Sequence, residues 1–155
     1  MTTSVFEMFK VGVGPSSSHT VGPMVAARRF VRDLRNKGVL SRVQRVHVGL
    51  YGSLGATGHG HASDRSSVMG LEGARPRSVD LVRFQQRLEL LSQHKTVGLA
   101  ADVGDEAHTI HFDPATDLEL DGRVRLPRHP NGMRFTAHLD DGSTCLLYTS
   151  DAADD

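Results

Sequence analysis

The sequence predicts a single small α+β domain with a mixed or antiparallel sheet and about three helices. The chain has 155 residues, which is enough for one domain with a hydrophobic core. An aromatic content of 5% and 16 glycines favour a loop-rich α+β domain over a helical bundle. Helical spacing of apolar residues and strand-like alternation both occur along the chain.

The first predicted helix runs over roughly residues 23–37. Pro23 fits its first turn, and Gly38 fits the C′ position after its end. Its apolar residues share one face at helical spacing: Met24, Ala27, Phe30, Val31 and Leu34. Its arginines predict a solvated face, with phosphate binding as the alternative: Arg28, Arg29, Arg32 and Arg35.

Two further helices and several strands follow. The second helix starts near Ser63 or Asp64 and ends near Gly70 or Gly73, and the third covers roughly residues 81–93. The clearest strand is 43–51, where apolar and polar residues alternate. Weaker strands are predicted at 109–112, 118–120 and 132–139, with a turn at 113–114 and a hairpin at 140–142. A short helical turn is predicted within 4–11.

An irregular stretch at residues 12–24 precedes the first helix. It reads Gly-Val-Gly-Pro-Ser-Ser-Ser-His-Thr-Val-Gly-Pro-Met. Hydroxyl groups and unpaired backbone N–H groups at a helix N-terminus favour a bound anion, such as a carboxylate or a phosphate. The alternative is a flexible Gly/Ser linker before a helix that Thr20 caps.

Two motifs resemble those of the bacterial iron–sulfur L-serine dehydratases (L-serine ammonia-lyases). The first is the ungapped stretch 6–24, which includes the serine-rich run above. The second is 51–64, which begins Tyr-Gly-Ser-Leu and ends Gly-His-Gly-His-Ala-Ser-Asp. The family usually has lysine where this chain has His59. The stretch 131–135 is also similar to the family, though it is less distinctive.

The resemblance implies that residues 1–144 form the family's smaller N-terminal (beta) domain. It also implies a larger C-terminal helical domain as partner, whose cysteines hold a [4Fe-4S] cluster. The cluster ligands would then lie outside this chain, and the fragment alone would bind no cofactor and be inactive. The implied reaction converts L-serine to pyruvate and ammonia.

Serine dehydration requires groups that bind the substrate carboxylate and a base near Cα. We assign carboxylate binding to the hydroxyls and nearby backbone N–H groups of Ser16, Ser17, Ser18 and Thr20. At least one of these serines is expected only to close the turn. Imidazole titrates near neutral pH, which suits proton abstraction. We therefore expect His61 to be the base and His19 to position the substrate.

The second motif contains other polar residues, and each has two possible roles. Asp64 either orients His61 or caps the second helix. His59 and His61 would share a face of an extended strand and could bind zinc, but no third ligand completes that set. We therefore predict no metal site in this chain.

Composition excludes several other classes. The chain has 18 basic and 18 acidic residues, which gives no electrostatic case for nucleic acid or an anionic membrane as partner. No apolar run approaches the roughly 20 residues that span a bilayer, and a signal peptide is not evident. One cysteine excludes an internal disulfide. A cytoplasmic protein is expected, and the oligomeric state is left open, a homodimer included.

Residues 145–155 stand apart from the rest. Cys-Leu-Leu-Tyr-Thr-Ser-Asp-Ala-Ala-Asp-Asp matches the translation of a transposon-end sequencing adapter. We therefore expect the native sequence to end at Thr144 and Cys145 to have no metal or redox role. The alternative is a true C-terminal strand over 146–149 with a frayed tail.

Two other functions remain as alternatives to a fragment of the enzyme. The domain would be a non-catalytic module that binds serine or another small carboxylate, similar to a regulatory domain of some phosphoglycerate dehydrogenases. It would otherwise be a separate beta subunit of the same enzyme. The two motif histidines favour the enzyme, because carboxylate binding alone needs no base.

Overall fold

A computed structural model describes residues 18–52, 63–75, 81–101, 107–123 and 132–150. The helices are α1 (Ser18–Asn36), α2 (Ser63–Leu71), α3 (Leu81–His94) and the single turn α4 (Pro114–Asp117), with a 3₁₀ turn at Leu40–Arg42. The strands are β1 (Val43–Tyr51), β2 (Thr96–Leu99), β3 (His108–His111), β4 (Leu118–Asp121), β5 (Gly132–Leu139) and β6 (Thr144–Ser150).

The larger sheet has four strands in the order β4-β1-β5-β6. Strand β1 pairs in parallel with β4 and antiparallel with β5, and β5 pairs antiparallel with β6. Strands β2 and β3 form a separate antiparallel pair. The mixed sheet and the three longer helices confirm the predicted α+β class.

The core lies between the helices and one face of the larger sheet, called here the inner face. Val48 of β1 lies beside Leu118 of β4 and Phe135 of β5, because residues paired in register share a face. Val48 and Phe135 are fully buried. Phe30 of α1 stacks on Phe135 with ring centroids 5.6 Å apart, which fixes α1 on the inner face.

Helix α1 begins five residues earlier than predicted. Its first residue is Ser18, so Pro23 is the sixth residue of the helix and the assignment of Pro23 to the first turn is wrong. Pro23 has no N–H to donate to the carbonyl of His19, so the helix loses one bond there. Thr20 likewise lies within the helix and does not cap it. The predicted apolar face is confirmed, since all five of its residues are buried.

The end of α1 is as predicted. Gly38 has a φ of +74°, and its N–H donates to the carbonyl of Arg35 at 3.0 Å. The next N–H, of Val39, donates to the carbonyl of Leu34 at 3.1 Å. This pair of bonds is a Schellman motif, which glycine favours because it adopts positive φ without a Cβ clash.

The remaining elements follow the predicted pattern with two differences. Strand β2 (Thr96–Leu99) was not predicted, and the turn at Asp113 is the cap of the one-turn helix α4. The Asp113 carboxylate accepts a bond from the N–H of Ala115 at 3.0 Å, which lowers the pKa of Asp113. The predictions for 4–11 lie outside the described residues. No helix in the described parts is long and apolar enough to cross a membrane.

Strand β6 occupies the stretch 144–150, most of which the sequence assigns to an adapter. It pairs with β5 in register from Gly132 with Ser150 to His138 with Thr144. Leu147 packs against the core, and Leu146 and Tyr148 are exposed on the opposite face. The origin of residues 145–155 stays a prediction, because an alternating apolar sequence pairs as a strand whatever its origin.

Candidate functional site

Helices α1 and α2 lie side by side and run in the same direction. Gly70 of α2 lies against Met24 and Ala27 of α1, so closely that a Cβ at Gly70 would overlap the carbonyl oxygen of Met24. Three residues later, Gly73 lines a shallow depression together with Arg28 and Arg35. Because both chains advance together along this contact, the two helices are parallel and both begin at the same end.

The N-termini of the two helices come to the same level. Gly70 is seven residues from Ser63, which is about 10 Å along a helix. Met24 and Ala27 are six and nine residues from Ser18, which is roughly 9–13 Å. The absence of a side chain at Gly70 lets the two helices approach closely at this point. Ser18 and Ser63 therefore lie at the same end of the helix pair.

The last residues of both sequence motifs lie at this end of the helix pair, where the two helices begin. Ser18, His19 and Thr20 form the first turn of α1, and Asp64 is the second residue of α2. Their side chains lie outside the described part of the structure, as do Ser16, Ser17 and His61 entirely. The backbone therefore brings the two motifs to one end of the helix pair, and the roles of the individual residues stay predictions.

The electrostatics of this end suit an anion. The first four N–H groups of each helix have no intrahelical acceptor, and the aligned peptide dipoles place partial positive charge there. Two parallel helices add these potentials at one place. A carboxylate is therefore a suitable ligand at this end.

Two buried serines on α2 were missed by sequence reasoning. Ser66 and Ser67 have no exposed surface, and both have polar or electrostatic partners in the structure. They lie within one turn of Asp64. Helical spacing alone does not single them out, because serines on a short helix are more often exposed.

Two buried carboxylates join neighbouring elements of the domain. Glu72, just after α2, accepts two bonds from Arg87 of α3 at 3.0 and 2.6 Å and one from the N–H of Gly98 of β2 at 3.0 Å. Asp117 accepts from Arg45 at 2.6 Å and from the N–H of Asp113 at 2.9 Å. Charged groups at these depths are tolerated because each oxygen has a partner.

A polar cluster lies on the outer face of the sheet, opposite the helices. The Tyr51 hydroxyl donates to Glu119 Oε1 at 2.8 Å, and the Arg134 guanidinium lies 5.5 Å from the centre of the Tyr51 ring. Arg134 and His47 lie 3.8 and 3.9 Å from the same carboxylate oxygen. The ring of Tyr51 covers Gly49, where a Cβ would overlap it.

Burial is the main cause of the pKa shifts in this cluster. It raises the pKa of Tyr51, and the bond to Glu119 raises it further. Burial also lowers the pKa of His47, although the negative charge of Glu119 raises it in part. Both groups are therefore neutral near pH 7. The cluster carries a net charge near zero, because Glu119 and Arg134 offset each other.

Comparison with known proteins assigns the family. A family model described as serine dehydratase beta chain matches residues 4–150. The L-serine dehydratase of Streptomyces coelicolor is 46% identical over 149 residues, which are 96% of this chain and 32% of that protein. The Haemophilus influenzae and Mycobacterium bovis L-serine dehydratases are 43% and 41% identical and are covered to 30% and 28%.

The chain spans about a third of the length of these relatives. The match runs through both motifs and through the described helices and strands. This chain belongs to the serine dehydratase beta chain family.

Proposed function

We propose that this chain is the N-terminal, substrate-binding part of an L-serine ammonia-lyase, an enzyme that forms pyruvate and ammonia from L-serine. The observation that supports this most is the parallel pair α1 and α2, whose N-termini carry the two family motifs to one end. Its relatives are named L-serine dehydratase over their full length, of which this chain covers about a third.

The proposed task of the α1 end is to hold the serine carboxylate. Ser16, Ser17, Ser18 and Thr20 would supply hydroxyl donors, and the backbone N–H groups of the first turn would supply the rest. Short hydroxyl side chains let a ligand as small as serine approach the backbone. The orphan N–H groups need a partner in any case, so a carboxylate there replaces water at little cost.

The proposed task of the histidines is proton transfer. His61 is two residues before the first residue of α2 and would take the proton from Cα, while His19 would position the substrate from the first turn of α1. A small substrate bound at this shared end would contact both motifs. Asp64 would orient His61 or cap α2.

The iron–sulfur cluster that the resemblance implies does not fit the residues of this chain. Such clusters are held by several cysteine thiolates, and this sequence has one cysteine. No group of three or more metal-binding side chains occurs among the described residues. The cluster would therefore belong to the C-terminal domain of a full-length enzyme. We propose a cytoplasmic location for that enzyme, in keeping with its metabolic substrate.

The test joins residues 1–144 to the C-terminal two thirds of the Streptomyces coelicolor relative and measures pyruvate release anaerobically. We expect activity on L-serine in the joined protein and none from the present chain alone. His61→Ala should lower kcat by about 10²-fold or more with little change in KM. His94→Ala, at the exposed end of α3, is the matched control and should leave both constants unchanged.

Calorimetry of the present chain with L-serine separates the enzyme from a binding module. In the enzyme, Ser16→Ala and Ser17→Ala should weaken binding, whereas the exposed control Ser92→Ala should not. Millimolar or tighter binding that survives His61→Ala, together with an inactive joined protein, would support a regulatory module instead. Pyruvate formation by the present chain alone would contradict the proposed division of labour.

A further inference from the structure

Tyr51 lies at the point where the second motif leaves the sheet. It is the last residue of β1 and the first residue of the motif 51–64. Gly52, which follows it, is buried and has a φ of +62°, a conformation that glycine adopts without a Cβ clash. The chain therefore turns out of the sheet immediately after Tyr51, and the position of Tyr51 sets where that turn begins.

This point lies at the same end of the domain as the first residues of α1 and α2. Six residues join α1 to β1, and three of them form the 3₁₀ turn, so β1 runs back along α1. The 19 residues of α1 and the nine residues of β1 each span about 27 Å. Tyr51 therefore ends β1 close to the level at which α1 begins.

The Tyr51 side chain contacts both neighbouring strands. Its hydroxyl donates to Glu119 Oε1 of β4 at 2.8 Å, and the Arg134 guanidinium of β5 lies 5.5 Å from the centre of its ring. The last pair between β1 and β4 is Tyr51 with Asp121, so the hydroxyl bond lies at the end of that pairing. Tyr51 is 2% exposed, whereas His47 on the same face of β1 is partly exposed.

The ring and the hydroxyl of Tyr51 have different roles. The ring lies over Gly49, and an aromatic ring over a strand glycine stabilises a sheet. Phenylalanine would cover Gly49 equally well and would leave no buried hydroxyl that needs a partner. The hydroxyl therefore adds a directed bond to β4 that packing does not require. Burial and this bond raise the pKa of Tyr51, so the hydroxyl keeps its proton near neutral pH.

The segment that carries His61 is attached to a fixed point at each end. Residues 53–62 join Gly52 to the first residue of α2. Helix α2 is held by the close contact of Gly70 with α1, and the start of the segment is held by the contacts of Tyr51. Fixing both ends of a connecting segment restricts its conformations, which lowers the entropic cost of placing one of its side chains.

We propose that the Tyr51 hydroxyl, through its bond to Glu119, positions the second motif so that His61 can take the proton from Cα of the substrate. Tyr51 is a positioning residue in this role, because it acts through His61 and not on the reacting atoms. The proposal rests on the proton-transfer role proposed above for His61. Misplacement of a catalytic group by about 1 Å can lower the rate by roughly 10²-fold, so the loss of one fixing bond should be measurable.

Anaerobic kinetics of the joined protein on L-serine test this role. Tyr51→Phe keeps the ring over Gly49 and removes only the hydroxyl. We expect kcat to fall about 5- to 10-fold with KM within about twofold, because carboxylate binding is assigned to the first motif. Thr136→Val removes a hydroxyl from the middle of the same outer face, opposite His47, and is the matched control. It should leave both constants unchanged.

Variants of Glu119 test whether the bond itself matters. Glu119→Leu removes the acceptor and should reproduce the loss in Tyr51→Phe, whereas Glu119→Gln keeps an acceptor oxygen and should lower kcat less. If both side chains act through one bond, the double variant Tyr51→Phe/Glu119→Leu should lower kcat no more than the larger single loss. A merely structural role would lower the melting temperature and leave the kcat of the folded protein unchanged.

An NMR measurement on the present chain gives a readout that does not depend on activity. The His61 imidazole signal is assigned by its loss in His61→Ala. We expect this signal to shift in Tyr51→Phe and not in Thr136→Val, while the signal of His94 at the exposed end of α3 stays in place. If the joined protein is inactive, the proposed function fails, and the His61 signal alone decides whether Tyr51 positions it.

Three results would overturn the proposal. One is an unchanged kcat in Tyr51→Phe, including the case in which KM alone rises. Another is a pair of additive losses in the double variant, which would mean that Tyr51 and Glu119 act separately. The third is a His61 signal that is the same in the wild-type chain and in Tyr51→Phe.

Discussion

The inner and outer faces of the four-stranded sheet are stabilised in different ways. On the inner face, fully buried apolar side chains such as Val48 and Phe135 fit against α1 without polar atoms. On the outer face, Tyr51, Glu119 and Arg134 form a charged and hydrogen-bonded cluster that is open to solvent on one side. Close packing stabilises the inner face, and electrostatic interactions stabilise the outer face. We therefore expect substitutions on the inner face to change stability through side-chain volume. The contribution of the outer face to stability should depend on pH and salt concentration.

Truncation of the central aromatic residue should have the largest effect. Phe135→Ala removes a fully buried ring that stacks on Phe30, and we expect the free energy of unfolding to fall by about 3–5 kcal/mol. Thr136→Ala, the next residue on the outer face, should cost less than about 1 kcal/mol. Urea denaturation measures both. Equal losses at the two positions would contradict the distinction between the faces.

Addition of one methyl group between the helices should come next. Gly70→Ala places a Cβ against the carbonyl oxygen of Met24 and 2.8 Å from the Cβ of Ala27, so we expect a loss of about 1–3 kcal/mol. The matched control is Gly142→Ala, where a Cβ meets nothing within 4 Å and only the positive φ is unfavourable. A smaller loss at Gly70 than at Gly142 would mean that the helices separate readily.

Neutralisation of the outer-face carboxylate should have a modest effect. Glu119→Gln keeps an oxygen for the Tyr51 hydroxyl but removes the attraction to Arg134, and we expect a loss of up to about 1 kcal/mol. The loss should shrink at high salt, because the cluster is partly exposed. Glu89→Gln, on the exposed side of α3, should change stability by less than this at any salt concentration.

Protonation of His47 should have the smallest effect and a defined sign. Burial lowers the pKa of His47 in the folded protein, so the unfolded chain binds more protons between that pKa and about 6.5. Stability should therefore fall as the pH drops from about 6.5 through the folded pKa. Thermal melts of His47→Gln should show a weaker dependence of stability on pH over that window.

An NMR titration of the His47 imidazole sharpens the same prediction. Glu119 raises the pKa of His47 and thus opposes burial. The pKa should therefore fall further in Glu119→Gln. An unchanged pKa would show that the two side chains do not interact in solution.

Local patterns were sufficient to predict the main elements. The spacing of apolar residues located α1, α2 and α3, and Gly38 located the end of α1. The start of α1 was placed too late, because Pro23 was assigned to a first turn when it lies in the second. Strand β2 was missed because four residues with a glycine among them give little alternation to detect.

Long-range features were beyond the reach of local patterns. The outer-face cluster joins Tyr51 to Glu119 and Arg134, which are far apart in sequence. Two motifs predict the candidate site, but their meeting at one end depends on the close contact at Gly70. A glycine within a helix does not by itself reveal its packing partner.

The central position of β1 has a consequence for how the chain folds during synthesis. Its partner strands begin at Leu118 and Gly132, so β1 leaves the ribosome some 70 to 80 residues before either neighbour. At about 5–20 residues per second, the strand waits roughly 4 to 16 s with both edges unpaired. During that interval α1, which is already complete, is the first element that can cover its apolar side chains, and α2 and α3 follow. Early docking of α1 would therefore protect the nascent chain against aggregation.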